Sequence, residues 1–323
     1  MCDVADAVLK DDMASMEHPF FSLSKKPETN IRRYQNGDNW IEVVPSVKGL
    51  ATIYDKDILI YCISQLIAKM NQGYPPSPYI KIIAKELLIF TNRSVGGKDY
   101  NALVDALNRL DGTRIRTNVK TGGETEYEGF GLIESYKLRR SDKTGRILEF
   151  SVKLSDWVFR SIEKKEVLTL HRDYFRLHKP IERRIYEIAR KHCGKQDVWR
   201  ISLELLKIKC GSHSHIKGFR HDIKKLAEGN YLPDYLVSLE KDVVTFNNRS
   251  IGLSHANISL NSFPILDTET YNDARIVAPT YDIYYLEKEW HNWWCESGKP
   301  ALHSPDKAFI AFCANRYKNK PNP

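Results

Sequence analysis

Twice along this chain an amphipathic helix stops at a glycine or an asparagine, and the residues that follow switch to a period of two. The first case is "GGKDYNALVDALNRLDGTRIRTN" (96–118). The second is "HIKGFRHDIKKLAEGN" (215–230) followed by "YLVSLEKDVVTF" (235–246). A side-chain period of 3.6 that gives way to a period of 2 leaves few folds open, because the buried faces of helix and strands must reach one core.

In the first case Leu103, Ala106, Leu107 and Leu110 fall at offsets 0, 3, 4 and 7 and form the inward face. That geometry turns Asn101, Asp105, Asn108 and Arg109 outward, with Lys98 at the helix start. After Gly112, "TRIRTNV" alternates, "TGGE" turns the chain back into "YEGFGLIESYKLRR", and "SDKTG" leads on to "RILEFSVKLS". Two helices precede it: "YDKDILIYCISQLIAKM" (54–70), which "NQGYPPSPY" ends because Gly73 and the prolines cannot continue a helix, and "IKIIAKELLIFT" (80–91). The same order recurs with "PIERRIYEIARKHCG" (180–194), "SLELLKIKCG" (202–211) and then 215–230, whose Ile216, Phe219, Ile223 and Leu226 stand at offsets 0, 3, 7 and 10. Three helices followed by a twisted hairpin, twice, predict an α+β fold of two tandem winged helix-turn-helix domains.

The expected layout is a weakly ordered leader (1–30), a first winged-helix domain (31–165), a second (166–249), a linker with little periodicity (250–280) and a small C-terminal helical module (281–323). In that module "YDIYYLEKEWHNWWCESG" is a helix crowded with Trp290, Trp293 and Trp294, and "SPDKAFIAFCANRYK" a second helix with Ser304 as N-cap. The tryptophans are either the core of this module or, in the sharper reading, a partner-binding face.

The chain's 323 residues suit two or three domains, and 42% hydrophobic residues suffice for buried cores. A net charge of +8 favours an anionic partner, with nucleic acid the first expectation. The acidic N-terminus has no long apolar core and "ILIYCISQLIA" is too short to span a bilayer, so neither a signal peptide nor a membrane span is expected. Six scattered cysteines with no CxxC suit the reduced thiols of a cytoplasmic protein.

The strongest chemical signal is the outward face of 215–230, where Lys217, Arg220, His221, Lys224 and Lys225 are opposed only by Asp222 and Glu228. Arginine pairs bidentately with guanine O6 and N7, and lysine neutralises phosphates. The alternative for this face is ordinary solvation. The first unit is less basic, since Asp105 and Asp111 offset Arg109, so its helix is a second reader or a backbone clamp. Arg114, Arg116, Lys120, Arg139 and Arg140 in the strands that follow are candidates for contacts to phosphates or the minor groove.

Enzymatic patterns fail. A phosphate-cradling GxxxxGK[ST] loop has Asn92 where glycine is needed and Asp99 after Lys98. His213-Ser214-His215 lacks the apolar middle residue of a nicking-enzyme metal site. Cys210 and His213 have ligand-like spacing for zinc, but His192 and Cys193 end another helix and no second tight pair accompanies them. No catalytic residue, metal or cofactor is expected.

Four stretches carry a family resemblance: "IEVVPSVKGLATIYDKDILIYCISQLIAKMNQG", "KDYNALVDALNRLDGTRIRTN", "LHKPIERRIYEIARKHCG" and "YDIYYLEKEWHNWWCESGKP". By these the chain resembles the plasmid replication initiator protein A family of bacteria across most of residues 17–320. The resemblance implies tandem winged helices that recognise repeated sites in double-stranded DNA at a plasmid origin. It also implies opening of adjacent AT-rich DNA, recruitment of the host initiator and replicative helicase, and a homodimer when repressing. Carried over by position, Lys217, Arg220, His221 and Lys224 become the principal base readers. The alternative from another class is a winged-helix transcriptional autorepressor without a replication role.

Overall fold

The structure is a computed structural model that describes residues 7–36, 39–118, 128–142, 145, 147–249, 264, 266–279, 281, 283–298, 300 and 302–319. It is a mixed helix-and-sheet protein, as the two side-chain periods require.

Residues expected to be a weakly ordered leader are instead built into the fold. Strand β1 (Lys10–Asp12) pairs antiparallel with a strand far along the chain, β9 (Val167–Thr169), and the Asp12 side chain caps helix α1 (Met13–Glu17) by accepting from the Ser15 N–H at 2.8 Å. Leu9, Met16, Phe20 and Phe21 are buried. The acidic character of this stretch suggests a solvated tail, but Asp11 is neutralised by a distant lysine, and the apolar residues between the charges reach both cores.

The first unit contains helix α2 (Lys56–Asn71), strand β4 (Tyr79–Ile83), helices α3 (Ala84–Phe90) and α4 (Gly97–Gly112), and the hairpin β7 (Ile133–Arg140)–β8 (Ile147–Leu154). Its sheet runs β4-β8-β7, all antiparallel. The second unit repeats this with helix α6 (Pro180–His192), strand β10 (Val198–Ser202), helices α7 (Leu203–Cys210) and α8 (Ile216–Gly229), and the hairpin β11 (Tyr235–Glu240)–β12 (Val243–Asn248), in the order β10-β12-β11. The internal duplication thus extends from element order to strand pairing. Residues 80–91, expected to be one helix, are divided: Ile80 and Ile82 point into the core while Tyr79, Lys81 and Ile83 point out, and the helix begins only at Ala84. A short apolar run does not declare its period until a partner strand is present, here β8.

The stretch after α4 departs from expectation. Strand β5 (Arg114–Thr117) is not the first strand of the unit's hairpin; it joins a separate four-stranded sheet, β2-β3-β5-β6, with β2 (Arg32–Asn36), β3 (Asn39–Val44) and β6 (Glu128–Gly131). Ile115 and Thr117 are buried on its inner side, and Ile115 pairs with buried Val43.

Helix α5 (Asp156–Glu163), capped by Ser155, leads into β9. The residues expected to be a linker up to 280 include helix α9 (Thr268–Val277). It packs with α10 (Ile283–Glu296) and α11 (Pro305–Asn319) around a separate core of Ala274, Ile283, Leu286, Trp290, Phe309 and Cys313.

The two units are welded. Ile60 of α2 packs in the second unit's core with Leu9 and Met16, and Phe90 bridges Tyr61 and Phe175. Between α2 and α6 lies a buried ionic network. The Lys56 ammonium, fully buried, contacts Asp11 (2.5 Å) and Glu187 (2.9 Å); Asp57 accepts from Arg183 (2.6 Å) and Arg93 (2.6 Å). Arg184 donates to the carbonyls of Ser15, Met16 and Glu17, so α6 also holds the N-terminal helix. Burial pushes the Asp11 and Asp57 carboxyls up, with Lys56 opposing it at Asp11 and Arg183 and Arg93 at Asp57; the neighbouring carboxylates, led by Asp11, outweigh burial at Lys56 and raise it.

Candidate nucleic-acid interface

Helix α8 forms because Phe219, Ile223 and Leu226 recur on one side and are buried, each worth about 1.5–3 kcal/mol on leaving water. It ends at Asn230, whose φ of 47° places it in the left-handed region that asparagine tolerates at a helix C-terminus. On the opposite side Lys217, His221, Lys224 and Lys225 are exposed. None of these four is in an ion pair among the described residues.

Arg220 differs from its neighbours. Its guanidinium is paired through both terminal nitrogens with Asp242, Nη2 donating to Oδ2 at 3.1 Å and Nη1 to Oδ1. Asp242 sits in the β11–β12 turn beside Lys241, both at positive φ (67° and 45°), the conformation a tight hairpin turn requires. The turn therefore clips onto the helix. The helical spacing alone cannot reveal Asp242; the signal was "EKD", a turn with an aspartate at a left-handed position.

In the first unit the structure separates the expected residues. Lys98 and Asn101 are exposed on α4. Asn108 and Arg109, expected to point outward, are half-buried. The Asn108 Oδ1 accepts from the Tyr136 hydroxyl of β7 at 2.7 Å, and Arg109 makes a two-pronged pair with Asp55 at 2.7 and 2.8 Å. A helical wheel counts only the helix's own periodicity, whereas here β7 and the start of α2 lie against its flank. Arg139 is exposed on β7 and bonds Glu149 at 2.9 Å, with Lys81 on the same carboxylate at 3.0 Å; hydrogen bonding to Lys81, with Arg139 adding to it, holds that carboxyl below its usual value. Arg140 is exposed next to it, and so is Lys137, which sequence reasoning passed over although it shares the face of Arg139 by the two-residue period. Arg114 and Arg116 lie elsewhere, on the β2-β3-β5-β6 sheet. Lys120 lies outside the described residues.

The three tryptophans divide likewise. Trp290 is fully buried against Phe309 and is core, so it offers no face to a partner. Trp293 is 47% exposed, and Trp294 donates from Nε1 to the Pro300 carbonyl at 2.9 Å. Of the residues with zinc-like spacing, His192 stacks on Trp199 and pairs with Glu17 (2.8 Å), and Cys210 is buried in the second core with its thiol pushed up to about 12 by burial. Among the described residues no group of three or more histidine, cysteine, aspartate or glutamate side chains is placed to hold a metal ion, and no helix is long and apolar enough to cross a membrane.

Solved structures resemble this fold over about three quarters of the chain. Crystal structures of domains 2 and 3 of RctB match with TM-scores of 0.55 and 0.50, covering 72% and 74% of this chain and 95% and 98% of those chains, at 12% identity in both cases; the likeness is one of fold. In sequence, a Wigglesworthia glossinidia brevipalpis protein described as "Putative replication protein" is 40% identical over 253 residues, 76% of this chain and 91% of that one. The family model for Replication initiator protein A matches residues 10–237. The chain belongs to the replication initiator protein A family, and a role in initiating replication follows from that membership.

Proposed function

We propose that this is a non-enzymatic, cytoplasmic initiator of plasmid replication that binds repeated origin sites in double-stranded DNA through two winged helix-turn-helix units. The observation that carries the reading is α8: a helix anchored by three buried apolar residues, presenting Lys217, His221, Lys224 and Lys225 to solvent directly before a hairpin. In this reading α8 enters the major groove and Arg220 is its base reader. Two of its five N–H groups are held by Asp242, which leaves three for a guanine edge or a phosphate. Helix α4, with Lys98 and Asn101 exposed and Arg109 committed to Asp55, acts as a backbone clamp. Lys137, Arg139 and Arg140 on the first hairpin contact flanking phosphates.

Origin opening and recruitment of the host initiator and helicase follow from the same reading. The C-terminal module, with its own core and an exposed Trp293, is the element we assign to a protein partner. Homodimerisation belongs to the repressing form.

Cloning the gene with its flanking DNA into a vector without an origin tests the proposal. Autonomous replication, lost on Lys224→Ala/Lys225→Ala, is the expected result. Repression of the gene's own promoter with no replication in a suitable host overturns it in favour of an autorepressor. A covalent tyrosine–DNA adduct overturns it in favour of a nicking enzyme.

A further inference from the structure

The β2-β3-β5-β6 sheet has an outer face that the duplex-binding reading does not use. Cross-strand neighbours on that face are Arg33 with Glu42, Gln35 with Trp40, Arg116 with Glu42 and with Gly129, and Arg114 with Gly131. Arg33, Arg114 and Arg116 are exposed, and among the described residues at these paired positions Glu42 is the one carboxylate. It accepts from Arg116 at 3.0 Å, yet the Arg116 side chain remains 57% exposed.

The glycines of β6 determine how the arginines lie. A Cβ on Gly131 would stand 3.1 Å from Nη1 of Arg114 and 2.8 Å from the Ile133 carbonyl, and one on Gly129 would meet Cγ of Arg116 at 3.9 Å. With no side chains there, the arginines lean across β6, and Nη2 of Arg114 donates to the Gly129 carbonyl at 3.3 Å. On the other flank the Arg33 guanidinium sits over the Trp40 ring, 5.3 Å from its centre. The result is a face roughly 14 Å across four strands that carries three planar cations and one indole.

We propose that this face binds single-stranded DNA. Bases stack on aromatic rings and on guanidinium planes without regard to sequence, while arginine neutralises the phosphates between them. A duplex offers neither exposed base faces nor a groove that a flat four-stranded face can enter; the major groove takes a helix or a two-stranded ribbon. The position suits the role. Thr113 alone separates α4 from β5, so the face begins where the first unit's third helix ends. A strand freed from duplex beside a bound site meets it first. This deepens the initiator reading and rests on it only for the source of the strand.

The test is fluorescence anisotropy of the full chain with a labelled oligothymidylate of about 20 nucleotides and, in parallel, a labelled duplex carrying the origin repeats. The wild-type chain is expected to bind both. Arg114→Gln/Arg116→Gln should weaken oligothymidylate binding by about tenfold or more and leave the duplex within about twofold. Trp40→Leu should weaken the oligothymidylate while Trp40→Phe retains it, with thermal melts confirming that each variant is folded. The proposal is overturned if the wild-type chain does not bind the oligothymidylate, if the double variant binds it undiminished, or if the duplex weakens equally. Binding of oligothymidylate without binding of the duplex supports this face and sinks the origin-binding reading instead.

Discussion

Arg220 and Asp242 determine what a substitution on the basic helix will report. Because the carboxylate holds the guanidinium by two hydrogen bonds, the arginine's rotamer entropy is already lost before DNA arrives. Arg220→Ala should therefore remove about 1–3 kcal/mol of discrimination between the origin repeat and a random duplex. Equal weakening on both duplexes would show that Arg220 is not a reader. Asp242→Asn should do the reverse of a simple loss: random-duplex affinity rises as a negative charge is removed, and the specific-to-random ratio falls. A second residue reports on the N-terminal segment. Burial lowers the His18 imidazole from 6.5 to about 4, so between these values the unfolded chain binds a proton that the folded chain does not. Stability is then full above pH 6.5 and declines as the pH drops toward 4, by up to about 2–3 kcal/mol from this group. Denaturant melts of His18→Gln should lose that slope between pH 6.5 and 4.5.

Among the elements, α8 and α10 make contrasting cases. On α8 the paired lysines 224 and 225 face solvent, and their replacement by alanine should leave folding intact. The plot of log affinity against log salt should flatten by about 2 units, on specific and random DNA alike. Periodicity made this helix readable, because three buried residues at helical spacing fix which side is out. The same reasoning misplaced Asn108 and Arg109 on α4, since Tyr136 and Asp55 approach from other elements. It also joined β4 to α3, where a run of isoleucines fits either period until β8 pairs with it. On α10, Trp290→Ala should cost about 3–5 kcal/mol as a cavity in the C-terminal core. Trp293→Ala, which loses only a half-exposed ring set against Phe312, should lower the thermal melt far less than Trp290→Ala and lower plasmid copy number; an unchanged copy number would remove Trp293 from the partner surface.

At the scale of the molecule, the buried network between α2 and α6 governs how the units are held. Lys56 faces two carboxylates; Lys56→Ala strands Asp11 in the interior and leaves Glu187 with Arg184 and Tyr174 only. Removing one partner of a buried ionic group costs about 3–5 kcal/mol, and a thermal melt should show it as a large fall in midpoint. Combining Lys56→Met with Asp11→Ala should recover part of the loss, because Glu187 still keeps its contacts with Arg184 (3.3 Å) and the Tyr174 hydroxyl (2.6 Å). No local pattern announces this network: Asp11, Lys56 and Glu187 are separated by tens of residues, and each alone looks like an ordinary surface charge.

What the residues settled by themselves is what depends on near neighbours in the chain: the amphipathic helices, the tight β11–β12 hairpin, the repeated order of elements, and the basic side of α8. The family too was legible, in three of the four stretches quoted, which lie within the residues that the family model matches; the fourth, at 281–300, lies beyond them. What only the tertiary structure decided depends on partners distant in sequence. It moved β5 into a second sheet, drew residues 7–23 into the cores, tied Arg220 to a turn and buried Lys56. The physical reason is the same in each case: hydrogen bonds and ion pairs form between groups that folding brings together, and periodicity carries no record of which distant group will arrive.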